Sequence, residues 1–187
     1  MKMERMSIMA GMLILCLLAC RNSDSTEAGK PEIIPFNEAK ETEAIMKVIE
    51  GETNCFFKGD TACWASHWSH KASAMQAWNN DDGTAGAAIG WDNIHAQGKD
   101  WIAKYYKHGE VVIHPVVKRE KPVVTFFNDS TAYLIWKQYN ADAEKKFYRI
   151  SREMRILEKE DGWKILTVAA FWDTEAKIPF DSLHLAE

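Results

Sequence analysis

The chain is 187 residues long, enough for one domain with a substantial core and one additional segment. Its 23 basic residues against 27 acidic ones give a formal charge of −4, and no basic run interrupts the sequence, which argues against a nucleic-acid partner. At the N-terminus, Lys2 and Arg5 precede an apolar run from Ile8 to Leu18. That run is about half the length a bilayer-spanning helix needs, so it reads as the apolar region of a signal peptide rather than a permanent span.

The quartet Leu17-Leu18-Ala19-Cys20 that closes the run resembles a bacterial lipobox. The resemblance implies cleavage after Ala19 and a diacylglyceryl group on the Cys20 thiol, with several acyl chains giving a stable anchor. Residues 1–19 are then a lipoprotein signal peptide, and the expected location is the bacterial cell envelope, lipid-anchored. Arg21 in place of an aspartate directs the expectation toward the outer membrane. The alternative is an ordinary secretory signal in which Cys20 is incidental. Removing residues 1–19 leaves 21 basic against 26 acidic residues, a charge of −5.

Residues 20–37 combine the lipidated Cys20 with the polar stretch "RNSDSTEAGKPEIIPFN", whose composition is that of a flexible tether reaching on the order of 20–25 Å. From Glu38 to Lys58 the apolar positions Ile45, Val48, Ile49 and Phe56 share one helical face. Gly59 supplies a left-handed stop, and Asp60 can cap a second helix that carries Trp64 and Trp68 one turn apart. "ASAMQAW", at 72–78, alternates as a short strand. The glycine-bearing "NNDDGTAGAAIG" reads as a mobile loop placed over a pocket. A third helix is expected from Asp92 to His108, weakened and split at Gly98.

Four strand-like runs follow: "VVTFF", "TAYLIWKQY", "FYRISREMRIL" and "WKILTVAAFW". Asp161-Gly162 between the last two predicts a type I′ hairpin turn. Helices first and an antiparallel meander second define an α+β domain over residues 38–175. Residues 176–187 read as a C-terminal tail, because Pro179 should keep them from continuing the sheet.

The order of these elements, with "FFKGDTACWASHWSH" and "SREMRILEKEDGWKI" as its most specific stretches, resembles the NTF2-like superfamily, in particular its SnoaL-like branch. The resemblance implies an α+β cone in which N-terminal helices pack on a strongly curved antiparallel sheet. It also implies a pocket at the open end and a homodimer formed through the sheet. Its members include isomerases, dehydratases, hydrolases and proteins with no demonstrated activity, so fold alone does not decide function.

Cys63, His67 and His70 have spacings that could offer zinc ligands, but no flanking ligand pattern supports them and no metal is expected. In an oxidising compartment Cys55 and Cys63 can form a disulfide across the Gly59 corner, or remain as two buried thiols. In the resembled family an aromatic residue and a histidine near Trp68 and His70 commonly line the pocket.

The strand period of two puts Ala132, Leu134, Trp136 and Gln138 on one face, and Glu153, Arg155 and Leu157 on one face of the next strand. If both faces point inward, Glu153 and Gln138 share a cavity. Glu153 is then a candidate general acid or base with His70 as partner, or alternatively the anionic half of a fixed pair with Arg155. Trp68, Trp78, Trp91, Trp136 and Trp172 are the candidate aromatic walls, joined by Gln138 and Arg155. Eight tryptophans suit a small, apolar or ring-shaped ligand. Neither the Asp-Arg-Asp set of epoxide hydrolases nor the Tyr-Asp pair of ketosteroid isomerases can be placed. No phosphate loop, nucleophile elbow or cofactor fingerprint occurs, so no cofactor is expected.

Overall fold

Helix α1 (Glu38–Phe57) forms where the apolar spacing puts it, with the Asn37 side chain accepting from the Lys40 N–H at 3.0 Å. It buries Ile45, Ile49 and Cys55. Gly59, at φ +69°, ends it, and Asp60 Oδ1 accepts from the Cys63 N–H at 2.9 Å to open α2 (Thr61–Ser66). This computed structural model describes residues 35–185; the signal peptide, the lipobox with Cys20 and most of the tether lie outside them. Among the described residues no helix is long and apolar enough to cross a membrane.

Because α2 stops at Ser66, Trp68 is not on it. The chain leaves the helix extended, and Trp68 forms a parallel bridge with Ile165, whose N–H donates to His67 O and whose carbonyl accepts from the Ser69 N–H. Strand β1 (Met75–Asn79) follows, three residues later than the alternation suggested at its start. The expected mobile loop is in part a strand: β2 (Ala85–Ile89) pairs antiparallel with β1. Helix α3 (Trp91–Tyr105) is continuous through Gly98 and is not split there.

A two-stranded ribbon, β3 (Tyr106–Lys107) and β4 (Glu110–Val111), leads to β5 (Val117–Arg119), β6 (Val123–Asn128), β7 (Thr131–Ala141), β8 (Phe147–Lys159) and β9 (Trp163–Pro179). The large sheet has the order β2-β1-β9-β8-β7-β5, and β6 shares the β7 edge with β5. All its pairings are antiparallel except β1 with β9, so the sheet is mixed where a purely antiparallel one was expected. Register shifts at Phe126/Asn128, Arg149/Ser151 and Ile156/Leu157 bend it around α1.

Two boundaries differ from expectation. The β8–β9 hairpin forms at Asp161-Gly162, yet Gly162 keeps an ordinary φ, so the connection is a three-residue bend rather than a type I′ turn. Strand β9 runs through residues 176–179, with Lys177, Ile178 and Pro179 opposite Arg149, Tyr148 and Phe147. Pro179 fills the last rung, where a missing N–H interrupts no further ladder.

The main core joins Ile45 and Ile49 of α1, Trp64 of α2 and Ile94 of α3 to Leu134, Leu157 and Ile165 of the sheet. A second cluster of Tyr139, Ala141 and Tyr148 packs under the far end of β9 and the 3-10 turn Phe180–Ser182.

Candidate functional site

Pleating and register put successive rungs of the concave face in line. Arg119 of β5 lies opposite Gln138, Gln138 opposite Ser151, and Ser151 opposite Trp172. The neighbouring rung is Trp136, Glu153, Ala170 and Trp78, and the next is Leu134, Arg155, Val168 and Gln76. Helices α1 and α3 cover these rungs with Phe56, Phe57 and Trp101, and between the layers lies a cavity of about 460 Å³. That volume suits a small organic ligand. Five tryptophans contribute to the wall: 64, 68, 78, 101 and 172. Trp78 can lie flat across β2 because Gly86 is beneath it; a Cβ there would stand 2.6 Å from the indole.

Hydrogen bonds chain the polar floor together. Arg119 Nε donates to Gln138 Oε1 at 3.0 Å, Gln138 Nε2 to Asn140 Oδ1 at 2.9 Å, and Asn140 Nδ2 to Ser151 Oγ at 3.0 Å. The Ser151 hydroxyl donates to Glu153 Oε1 at 2.6 Å, and Arg155 Nη1 donates to Glu153 Oε2 at 2.8 Å. Glu153 and Arg155 are 3% and 9% exposed, so their ion pair is buried, and Arg155 also lies over the Trp136 ring. Both Glu153 oxygens are thus occupied, as in a fixed pair rather than a free proton carrier.

Glu153, Gln138, Arg155, Trp68, Trp78 and Trp172 all line the cavity. His70 does not join Glu153 there. It is exposed, stacks on Trp91 at 4.1 Å between ring centroids, and has its Nε2 2.9 Å from Ala65 O; together with Ser66 and Lys164 it borders a separate shallow surface depression. Trp91 is likewise outside the cavity, stacked between His70 and His95. Trp136 lies beneath the lining and reaches it through its indole N–H to Gln138 Oε1, 3.3 Å away.

Cys55 and Cys63 form a disulfide, with Cα atoms 5.6 Å apart. With His67 they make a cluster compact enough for a metal, but both sulfurs are engaged with each other and His67 remains a lone donor. His67 fits because Gly51 leaves its ring room on α1. Burial pushes its pKa below the usual histidine value.

Three cavity residues carry no signal in the sequence pattern. Arg119 sits on a three-residue strand, His114 on an irregular segment, and Glu52 on the flank of α1. His114 Nδ1 lies 2.9 Å from Ala141 O, which fixes the tautomer with Nε2 bare, and its ring stacks on Trp172. Burial lowers its pKa, so the imidazole is neutral near pH 7. Glu52 Oε1 accepts from the Trp64 indole N–H at 2.8 Å.

Helices wrapped by a bent sheet, with a polar-floored aromatic cavity between them, define an α+β cone of the NTF2-like fold. Solved structures agree with that assignment. An NTF2-like protein of unknown function from Shewanella oneidensis superposes with a TM-score of 0.54 at 15% identity, covering 70% of this chain and 98% of that one. Two proteins from Novosphingobium aromaticivorans are also similar. One, provisionally named an aromatic ring hydroxylase, has a TM-score of 0.53 at 13% identity, with coverages of 73% and 91%. The other, provisionally named a scytalone dehydratase, has a TM-score of 0.52 at 10% identity, with coverages of 80% and 93%. No family model and no curated protein matches the sequence.

Proposed function

We propose that this chain is a cell-envelope lipoprotein whose NTF2-like domain, of the SnoaL-like branch, binds a small ring-shaped molecule between its helices and its sheet. The observation that carries the binding reading is the cavity itself, walled by five tryptophans over a hydrogen-bonded floor. Flat aromatic walls favour flat ligands, and the ring chemistry in the provisional names of two structural neighbours points the same way. The Leu17-Leu18-Ala19-Cys20 quartet supports the lipid anchor, and the Cys55–Cys63 disulfide fits an oxidising compartment. Binding without turnover is favoured because both Glu153 oxygens are occupied. Pairing of two copies through the convex sheet face, where Val123 and Phe171 are exposed, completes the proposal.

Native mass spectrometry of the mature protein, purified from its own envelope and then denatured, tests the binding reading. The expected result is a co-purifying small molecule released on denaturation and lost from a Trp78→Ala/Trp172→Ala variant. An empty protein from several extracts refutes it.

A second reading is favoured by His114, the neutral base with a bare Nε2 in the cavity. A cofactor-free isomerase or dehydratase could use it in the role the sequence suggested for His70. Turnover of the co-purified molecule that disappears in His114→Asn supports this reading, and its persistence in that variant removes it.

A further inference from the structure

Resting on the binding reading above, the charges of the cavity say more about its ligand than the aromatic walls do. Four charged side chains line it: Glu52, Arg119, Glu153 and Arg155. Arg155 and Glu153 neutralise each other in a buried pair. Arg119 has no such partner: among the described residues no carboxylate oxygen lies within ion-pair distance of it, and its two hydrogen bonds go to neutral groups, Gln138 Oε1 and Thr53 Oγ1 at 2.6 Å. Burial lowers its pKa, opposed by the field of Glu52, yet a guanidinium stays protonated across the physiological range.

Of the five N–H donors of Arg119, two are used. Its Nη1 has no hydrogen-bond partner yet is not sealed from solvent, so the two donors of that nitrogen are open where Arg119 lines the cavity. The contrast is Arg155, whose Nε is buried with no partner at all. A partly desolvated cation held in place by an amide and a hydroxyl, with its outer donors free, is poor at neutralising the fold and well suited to receiving an anion. Glu52 forms no direct ion pair with Arg119: its Oε1 accepts from the Trp64 indole, and its Oε2 lies 3.4 Å from the Thr53 hydroxyl that itself accepts from Arg119.

We infer that the cavity takes a planar aromatic carboxylate, the ring between the tryptophans and the carboxylate on the free donors of Arg119. The guanidinium fork matches a carboxylate in shape as well as charge, which a ketone or phenol does not. The inference separates this pocket from one for neutral rings, which needs no cation left without a direct ion pair.

The test compares near-isosteres in which an amide NH2 replaces one carboxylate oxygen and removes the charge. Calorimetry with the mature protein uses 2-naphthoate against 2-naphthamide, and biphenyl-4-carboxylate against biphenyl-4-carboxamide. The carboxylate of each pair is expected to bind about tenfold or more tightly than its amide, as charge-assisted hydrogen bonds are stronger than neutral ones. Arg119→Gln should abolish that preference, and Arg119→Lys should restore part of it.

Equal affinities for acid and amide in the wild-type protein overturn the inference without any variant, and leave a pocket for neutral rings standing. A preference that survives in Arg119→Gln also overturns it. If neither member of either pair binds, both the inference and the ring-binding reading fail.

Discussion

Replacing Gly98 with alanine tests the packing that shapes the cavity roof. Gly98 lies in the middle of α3 and is buried, and a Cβ built on it would stand 2.3 Å from Cη2 of Trp64. In an exposed helix the substitution would stabilise by about 1 kcal/mol through propensity alone. Here Trp64 cannot yield cheaply. It is 2% exposed, its indole N–H is held by Glu52, and it is packed by Phe56, Trp68 and Trp91. Overpacking of a filled core costs roughly 2–3 kcal/mol at the upper end of its usual range, so a net loss of about 1–2 kcal/mol is expected. For a domain of this size that corresponds to a fall of roughly 3–6 °C in Tm, measured by calorimetry and checked by urea unfolding. Gly162→Ala is the control, since nothing lies within 4 Å of its added methyl and its φ is ordinary; it should change stability by less than about 0.5 kcal/mol. A Gly98→Ala protein as stable as the wild type, or more so, would refute the reasoning.

Opening the Cys55–Cys63 disulfide, whose residues are 8 apart, should remove roughly 2–3 kcal/mol by loop-closure entropy, seen as a lower Tm with a phosphine reductant; an unchanged Tm contradicts the pairing. Glu153→Gln strands the Arg155 charge and should cost about 3–5 kcal/mol in urea unfolding, with Glu153→Gln/Arg155→Met recovering most of it. A single-variant loss below about 1 kcal/mol would mean the pair is not buried as described. His67 and His114 both have folded pKa values lowered by burial from the usual 6.5, so the unfolded chain binds more protons in the interval below 6.5. Stability should therefore fall as pH drops from about 6.5 through the lowered folded values, and His114→Asn should flatten that slope in pH-dependent melts; a slope unaltered by the variant assigns the protons elsewhere.

The elements that were legible from the sequence are those whose pattern is self-sufficient. Helix α1 shows its apolar stripe and its Gly59 stop, and β7 and β8 show alternation long enough to fix which side chains point inward, Gln138 and Glu153 among them. Strand β2 was not legible, because "AGAAI" has no branched or aromatic residue; it is a strand because β1 offers it a partner and because Gly86 admits Trp78. Arg119 and His114 sit in segments too short for any period, and only the closing of β5 onto β7 brings them to the cavity. His70 failed as a site residue for a different reason. The family resemblance put it at the pocket where the chain leaves α2; that helix ends at Ser66, and the extended exit turns His70 outward onto Trp91.

The chain of side chains along the cavity floor has a direction. Gln138 Oε1 already accepts from Arg119 and Trp136, so its amide must donate onward, and Asn140 and Ser151 are forced to do the same until the last proton reaches Glu153. Every rotatable polar group on the floor is therefore held in one orientation, its dipoles lying head to tail between a guanidinium and a carboxylate. Neutralising Arg119 would leave that order standing, because the Trp136 indole N–H can only donate and still holds Gln138 Oε1. The floor thus presents one fixed pattern of donors and acceptors across three strands, whatever the charge at its β5 end.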